Sequence, residues 1–372
     1  MVLSVATALA LLSVAAASSA PAESPKPAFS SAEYFELIRR YASGERTAAV
    51  AALGAWSERD LVRQLAAVEA AARALERCPS CPNSLEGVSL EAAVLLHWDR
   101  DRAEQPPSEG VEQPRHCPGL FAQHAGRLAR VLARRPATQD FAVRFFRMVA
   151  LSCQWDACFE ASRQWAGEAI ELFPKDAALR LARGSANEES ATLGVRFSPE
   201  LSTSAVNQEV LAETVQRDGL EKARRDFEAA LALDPEQAIA RVRLGRVLWR
   251  LGDSEPARAQ LETALASLQN PDHLYLAHLY LGRVHQDAGR LEQAIAEYRS
   301  AVALHPSALS GGVALSNALG LAGDAEGARL ALQRGLQSAG RRRARDPHWD
   351  YLVVNAADLR ALEEALHEGP LE

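Results

Sequence analysis

Residues 281–306 read LGRVHQDAGRLEQAIAEYRSAVALHP, and their spacing of small, bulky and helix-ending residues returns on both sides. Leu281, Gly282, Gly289, Ala294, Tyr298 and Ala301 have counterparts 34 residues later in Leu315, Ser316, Gly323, Ala328, Leu332 and Gly335. One unit earlier the same slots hold Leu244, Gly245, Gly252, Ala257, Leu261 and Ala264, with three extra residues before the next unit. Earlier still, Ala223, Phe227, Ala230 and Pro235 form the second half of a unit whose first half is residues 177–189, with Gly184 in the small slot; the 27 residues 191–217 separate the halves. A fixed period of this length belongs to helix–turn–helix units that stack into a solenoid, because one unit cannot bury its apolar face alone.

The slots have a physical reading. A small residue on the first helix (Gly184, Gly245, Gly282, Ser316) faces an alanine on the second (Ala223, Ala257, Ala294, Ala328), so that two antiparallel helices approach closely. The large residue four positions on, Phe227, Leu261, Tyr298 or Leu332, fills the space toward the neighbouring unit. Gly252, Gly289 and Gly323 stand where the chain leaves a first helix, and Pro235 and Pro306 follow second helices that they cannot continue. Over residues 218–336 this combination resembles the tetratricopeptide repeat family. The resemblance implies an all-α fold: a right-handed α-solenoid of helix–turn–helix repeats, preceded here by a helical N-terminal region and closed by a C-terminal capping helix.

The organisation expected is then a helical N-terminal region over 29–140, a degenerate repeat over 141–175, a repeat over 176–235 carrying the insertion 191–217, and repeats over 236–270, 271–306 and 307–340. Helices in the first region are read from caps and apolar periodicity: Ser30 to Tyr41, Ser57 to Arg77, Glu86 to Asp99 and Gly119 to Arg135. Arg100 to Pro118 reads as a loop. Within the insertion, Ser204 to Gln216 has the spacing of a short helix that would lie across the groove or over the upstream units. Residues 346–368 are expected to cap the last repeat, with Trp349 and Tyr351 against it.

Residues 1–22 read as a secretory signal peptide: Val2 to Ala17 is apolar but too short for a span, and Ala20-Pro21-Ala22 offers a cleavage site, although no basic residue precedes the run. An exported bacterial protein, periplasmic or extracellular and without a stable membrane span after cleavage, is the expectation; a cytoplasmic one follows if the segment is not a signal. Arginine outnumbers lysine 38 to three, which we attribute to GC-rich coding, and the net charge of −7 argues against a nucleic-acid partner. Five cysteines leave alternatives open. Cys78–Cys81 and Cys153–Cys158 are close enough to pair, leaving Cys117, or the thiols are inert; or Cys78-Pro-Ser-Cys81 joins His97, His116 and Cys117 around zinc; or it is a redox pair, for which the helical context lacks the usual strand–helix setting. His278 and His285 occupy packing slots on a first helix. No G-x-S-x-G, H-E-x-x-H, P-loop or Rossmann fingerprint is found, so no catalytic residue and no cofactor is nominated.

The resemblance also implies a concave groove lined by first helices. Its ligand-facing slots fall on Arg243, Arg246, Trp249 and Arg250 in one unit, Tyr280, Arg283 and Gln286 in the next, and Asn317 in the last. Guanidinium groups beside aromatic rings suit a protein or peptide partner with acidic groups; the alternative is that these arginines pair with Glu or Asp on neighbouring helices. The family's chaperone-binding carboxylate clamp is not reproduced, since Leu181 and Ser185 replace its first pair. The function expected is a non-enzymatic protein- or peptide-binding scaffold; the alternative is an enzyme or zinc protein with its site in the N-terminal Cys/His region.

Overall fold

The computed structural model describes residues 31–56, 84–85, 88–103, 120–155, 158–193, 205–339, 346–348 and 362–367. The described chain is helical apart from a two-residue antiparallel ladder, β1 (Ser84–Leu85) with β2 (Val88–Ser89). The N-terminal helices are α1 (Ser31–Ala42), α2 (Arg46–Gly54), α3 (Leu90–Ala103) and α4 (Leu120–Ala133). Antiparallel pairs follow: α5 (Gln139–Trp155) with α6 (Phe159–Leu172), α7 (Ala177–Leu193) with α8 (Ala205–Leu233), α9 (Ala238–Leu251) with α10 (Ser254–Ser267), α11 (Pro271–Asp287) with α12 (Leu291–Leu304), and α13 (Leu309–Leu321) with α14 (Ala325–Ala339).

The repeat slots explain the packing. Gly252 and Gly289 hold φ of 94° and 72°, so the chain turns out of α9 and α11 through a left-handed residue that a side chain would strain. The small slot meets the expected alanine, as a Cβ on Gly245 would lie 3.2 Å from the Ala257 carbonyl, but it is crowded most by the large residue. A Cβ on Gly282 would come within 2.5 Å of the Tyr298 ring, and one on Gly245 within 2.6 Å of Leu261 Cγ. The glycine therefore makes room for the large residue of its own pair. In the last pair Ser316 takes this slot and donates a hydrogen bond to the Ala328 carbonyl at 2.8 Å.

Three expectations change. The N-terminal helix expected from Glu86 begins at Leu90 and runs to Ala103, into the segment read as a loop, and α2 lies where none was read. Residues 205–217 do not cross the groove but continue as the first turns of α8, a single helix of 29 residues. Gln216 donates to the Ala191 carbonyl at 3.2 Å, and a Cβ on Gly219 would meet that of Ala191 at 2.7 Å, so this part of the insertion lengthens the α7–α8 pair. The C-terminal helix at residues 362–367 covers the N-terminal helices rather than the last repeat: Leu366 is buried in the same core as Tyr34, Tyr41, Leu53 and Leu96. Arg46 donates to the His367 carbonyl at 2.6 Å, and His367 Nε2 lies 3.2 Å from Asp99. Trp349 and Tyr351 lie outside the described residues, as do 1–30 and the run 57–77.

Candidate functional site: the inner face of the repeats

The first helices of successive pairs touch one another, α7 with α9, α9 with α11 and α11 with α13, more closely than their second helices do. The face the first helices share is therefore the inner one. Arg243 and Arg246, three apart on α9, point from it toward Glu188 and Glu189 at the end of α7. Arg243 Nη1 lies 3.0 Å from Glu188 Oε2 and 3.3 Å from Glu189 Oε1, and Arg246 pairs with Glu188 Oε1. Both glutamates are fully buried, and the arginines are 8% and 3% exposed. Burial pushes the Glu189 carboxyl up to about 8, against the pull of Arg243. The two arginines are committed to the fold, as in the alternative reading of the sequence in which neighbouring helices pair with them.

Next to this cluster the groove is aromatic and cationic. The Arg246 guanidinium lies 5.6 Å over the Tyr280 ring and that of Arg283 lies 5.7 Å over Trp249. Trp249 Nε1 donates to Asp287 at 2.7 Å, and Gln286 accepts from Tyr298 at 3.2 Å. Among the described residues neither Arg250 nor Arg283 makes an ion pair or a hydrogen bond, although both are half-buried. Burial and the charge of Arg246 lower the pKa of Arg250. Asn317 is exposed on α13. Of the eight expected positions, then, Arg243, Arg246 and Tyr280 are buried, Trp249, Arg250, Arg283 and Gln286 border the groove, and Asn317 stands apart from them on α13.

A further set of residues was not anticipated. Asp346-Pro347-His348 lies against α11 and the start of α13. Asp346 Oδ2 accepts from the Ser310 amide at 2.8 Å, and its Oδ1 accepts from the Tyr275 hydroxyl at 3.4 Å and from the His348 amide at 3.0 Å. Tyr275 in turn accepts from the Gly311 amide at 2.9 Å. His348 Nδ1 is 3.0 Å from the Tyr280 hydroxyl with the rings edge to face, and burial with nearby Arg246 lowers its pKa to about 4. The only sequence signal for this contact was an aromatic C-terminal stretch, which carries no period.

The N-terminal alternative gains no support. His97 is fully buried, its Nε2 2.5 Å from the Tyr34 hydroxyl, and burial beside His124 lowers its pKa to about 3. No group of three or more metal-binding side chains occurs among the described residues, while Cys78, Cys81, His116 and Cys117 lie outside them. Cys158 is disulfide-bonded, but not to Cys153, so that expected pairing is corrected: the partner lies outside the described residues. Both side chains are buried in the N-terminal core and the Cys158 amide bonds the Cys153 carbonyl at 2.7 Å, so closeness in the chain alone does not decide the pairing. His278 and His285 pack within the repeats, His278 Nδ1 2.6 Å from Glu297 and His285 accepting from Arg290 Nε at 3.0 Å.

Residues 215–272 and 243–309 match the family model described as tetratricopeptide repeat. No curated protein matches the chain. Among solved structures it is similar to MamA, with 16% identity and a TM-score of 0.39 over 51% of this chain and 94% of that one. It is also similar to MamA 41-end from Desulfovibrio magneticus RS-1, with 19% identity and a TM-score of 0.41 over 54% and 96%. A third is YrrB, titled a TPR protein with an unusual peptide-binding site, with 17% identity and a TM-score of 0.36 over 54% and 88%.

Proposed function

We propose, from the premise that residues 215–309 are tetratricopeptide repeats, that this protein is a non-enzymatic scaffold whose inner face binds an acidic peptide or protein segment. The observation that carries this reading is the pair Arg250 and Arg283, half-buried guanidinium groups without a carboxylate partner among the described residues, Arg283 lying over the Trp249 ring. A half-buried guanidinium retains directional donors and is weakly hydrated, so a carboxylate that meets it forms short, charge-assisted bonds at small desolvation cost. Arg243 and Arg246 serve the scaffold instead, by tying α9 to Glu188 and Glu189 near the end of α7.

Selection of binders from a random peptide library tests this. Enrichment of Asp and Glu, with affinity falling about tenfold in Arg250→Ala and in Arg283→Ala, is the expected result, since interface anchors of this kind contribute on the order of 1–3 kcal/mol. Binders indifferent to both substitutions would move the site off the inner face. Export is part of the proposal, since the Cys158 disulfide suits an oxidising compartment.

A further inference from the structure

We infer that the segment beginning at Asp346 is a built-in occupant of the binding groove, and that an incoming partner takes the place of its carboxylate. The inference rests on the groove reading above and adds to it the chemistry of one subsite. Asp346 is 7% exposed, yet its carboxylate is not paired with an arginine: it receives the Ser310 amide, the Tyr275 hydroxyl and the His348 amide. Two of these donors belong to the repeats and are held in place without the tail's help. Ser310 lies in the first turn of α13, where amide hydrogens lack partners within the helix, and the Tyr275 hydroxyl is fixed by the Gly311 amide. Two residues on, His348 reaches the Tyr280 hydroxyl, next to the Arg246 guanidinium stacked over the same ring. A carboxylate seat and a ring seat thus stand side by side on the first helices, and three consecutive residues of this chain fill both.

The segment is well suited to leave. Asp346, Pro347 and His348 contribute no large aliphatic side chain to the repeat core, whose buried residues run from Ala191 to Leu319, and of the three only Pro347 buries an apolar ring. Of its contacts, those that the Asp346 carboxylate accepts from the Ser310 amide and the Tyr275 hydroxyl are ones that an aspartate or glutamate from another chain reproduces. Wild-type affinity for a partner is then reduced by the fraction of molecules whose seat is taken, and a partner binds by exchange.

The test uses the full chain and a fluorescent peptide with this protein's own sequence over 344–351. Binding to the variant Asp346→Ala/His348→Ala is expected to be at least tenfold tighter than to wild type, and Tyr275→Phe added to that variant should weaken it again. The milder Asp346→Asn, which retains the shape of the side chain, should fall between. Equal affinity for wild type and double variant, or no binding to either, would reduce the segment to an internal brace. A hydrogen-exchange measurement on unmodified protein covers the case in which the variants fail to fold. Excess peptide should speed exchange at the His348 amide and leave the Ser310 amide protected; unchanged exchange at His348 overturns the proposal. Arg250 and Arg283 are not part of this readout. Peptides that ignore those arginines while the exchange result holds would count against the acidic-groove reading alone.

Discussion

At the scale of single residues, the inner face separates arginines that hold the fold from arginines available to a ligand. Arg246→Ala leaves Glu188 buried with half its counter-charge, and removal of one partner of a buried pair costs about 3–5 kcal/mol. Arg283→Ala removes a half-buried cation stacked on Trp249 and should cost less than about 1 kcal/mol. Denaturant titration of the two variants is expected to separate them by several kilocalories, and similar midpoints would show that the α7–α9 ion cluster is solvated. The small slot gives a second prediction. Gly282→Ala drives a methyl into the Tyr298 ring, which is 1% exposed and has nowhere to move, so a loss of about 1–3 kcal/mol is expected. Because the two groups touch, Tyr298→Leu should offset part of that loss in a double-mutant cycle, whereas additive effects would mean that they do not meet. Thiol titration of unfolded, unreduced protein should find no more than three reactive groups among the five cysteines.

At the scale of elements, the repeated pairs were legible because period, glycine turns and helix-ending prolines all act locally. The residues that Arg243 and Arg246 meet were not, since Glu188 lies 55 and 58 positions from the two arginines and Glu189 lies 54 from Arg243, across the insertion. Expected groove slots therefore included two side chains that the preceding pair consumes. Residues 205–217 were misplaced for a related reason: apolar spacing predicts a helix but not that it is coaxial with the next one. The same holds for the tail, whose two ends meet opposite electrostatic surroundings and should respond oppositely to pH. His348 has its pKa lowered by burial and by Arg246 and Arg283, with Asp346 pulling the other way; its contribution is present above pH 6.5 and is lost as pH falls toward about 4. His367 has its pKa raised by hydrogen bonding to Asp99, against burial and Arg46, so its contribution is present below pH 6.5 and is lost as pH rises through the folded value. Proton NMR of the two rings should show the His348 contact loosening in acid while the His367 contact tightens. Parallel behaviour would exclude these environments.

At the scale of the whole molecule, the sequence foretold a stack of helix pairs and missed how its C-terminal chain is disposed. A helix was expected over the last repeat because a terminal unit exposes apolar surface, and Leu332 and Leu336 do remain 38% and 54% exposed. The residues that were to cover them instead carry Leu366 into the N-terminal core, a long-range contact that no local pattern encodes. Leu366→Ala should destabilise by about 2–5 kcal/mol, as buried leucines do, with the loss felt at Tyr41 and Leu53 rather than at α14. Hydrogen exchange resolved along the chain checks this, and loosening confined to α13 and α14 would return the helix to its expected place. An untethered solenoid behaves as a coil spring, with each interface giving a little under load. This one is clasped: the same strand of chain grips the repeats at Asp346 and the opposite end at His367. Once the two ends part by more than the chain from Asp346 to His367 can span, one of its grips must break before the stack opens further, so the reach of a few residues limits how far the coil uncoils.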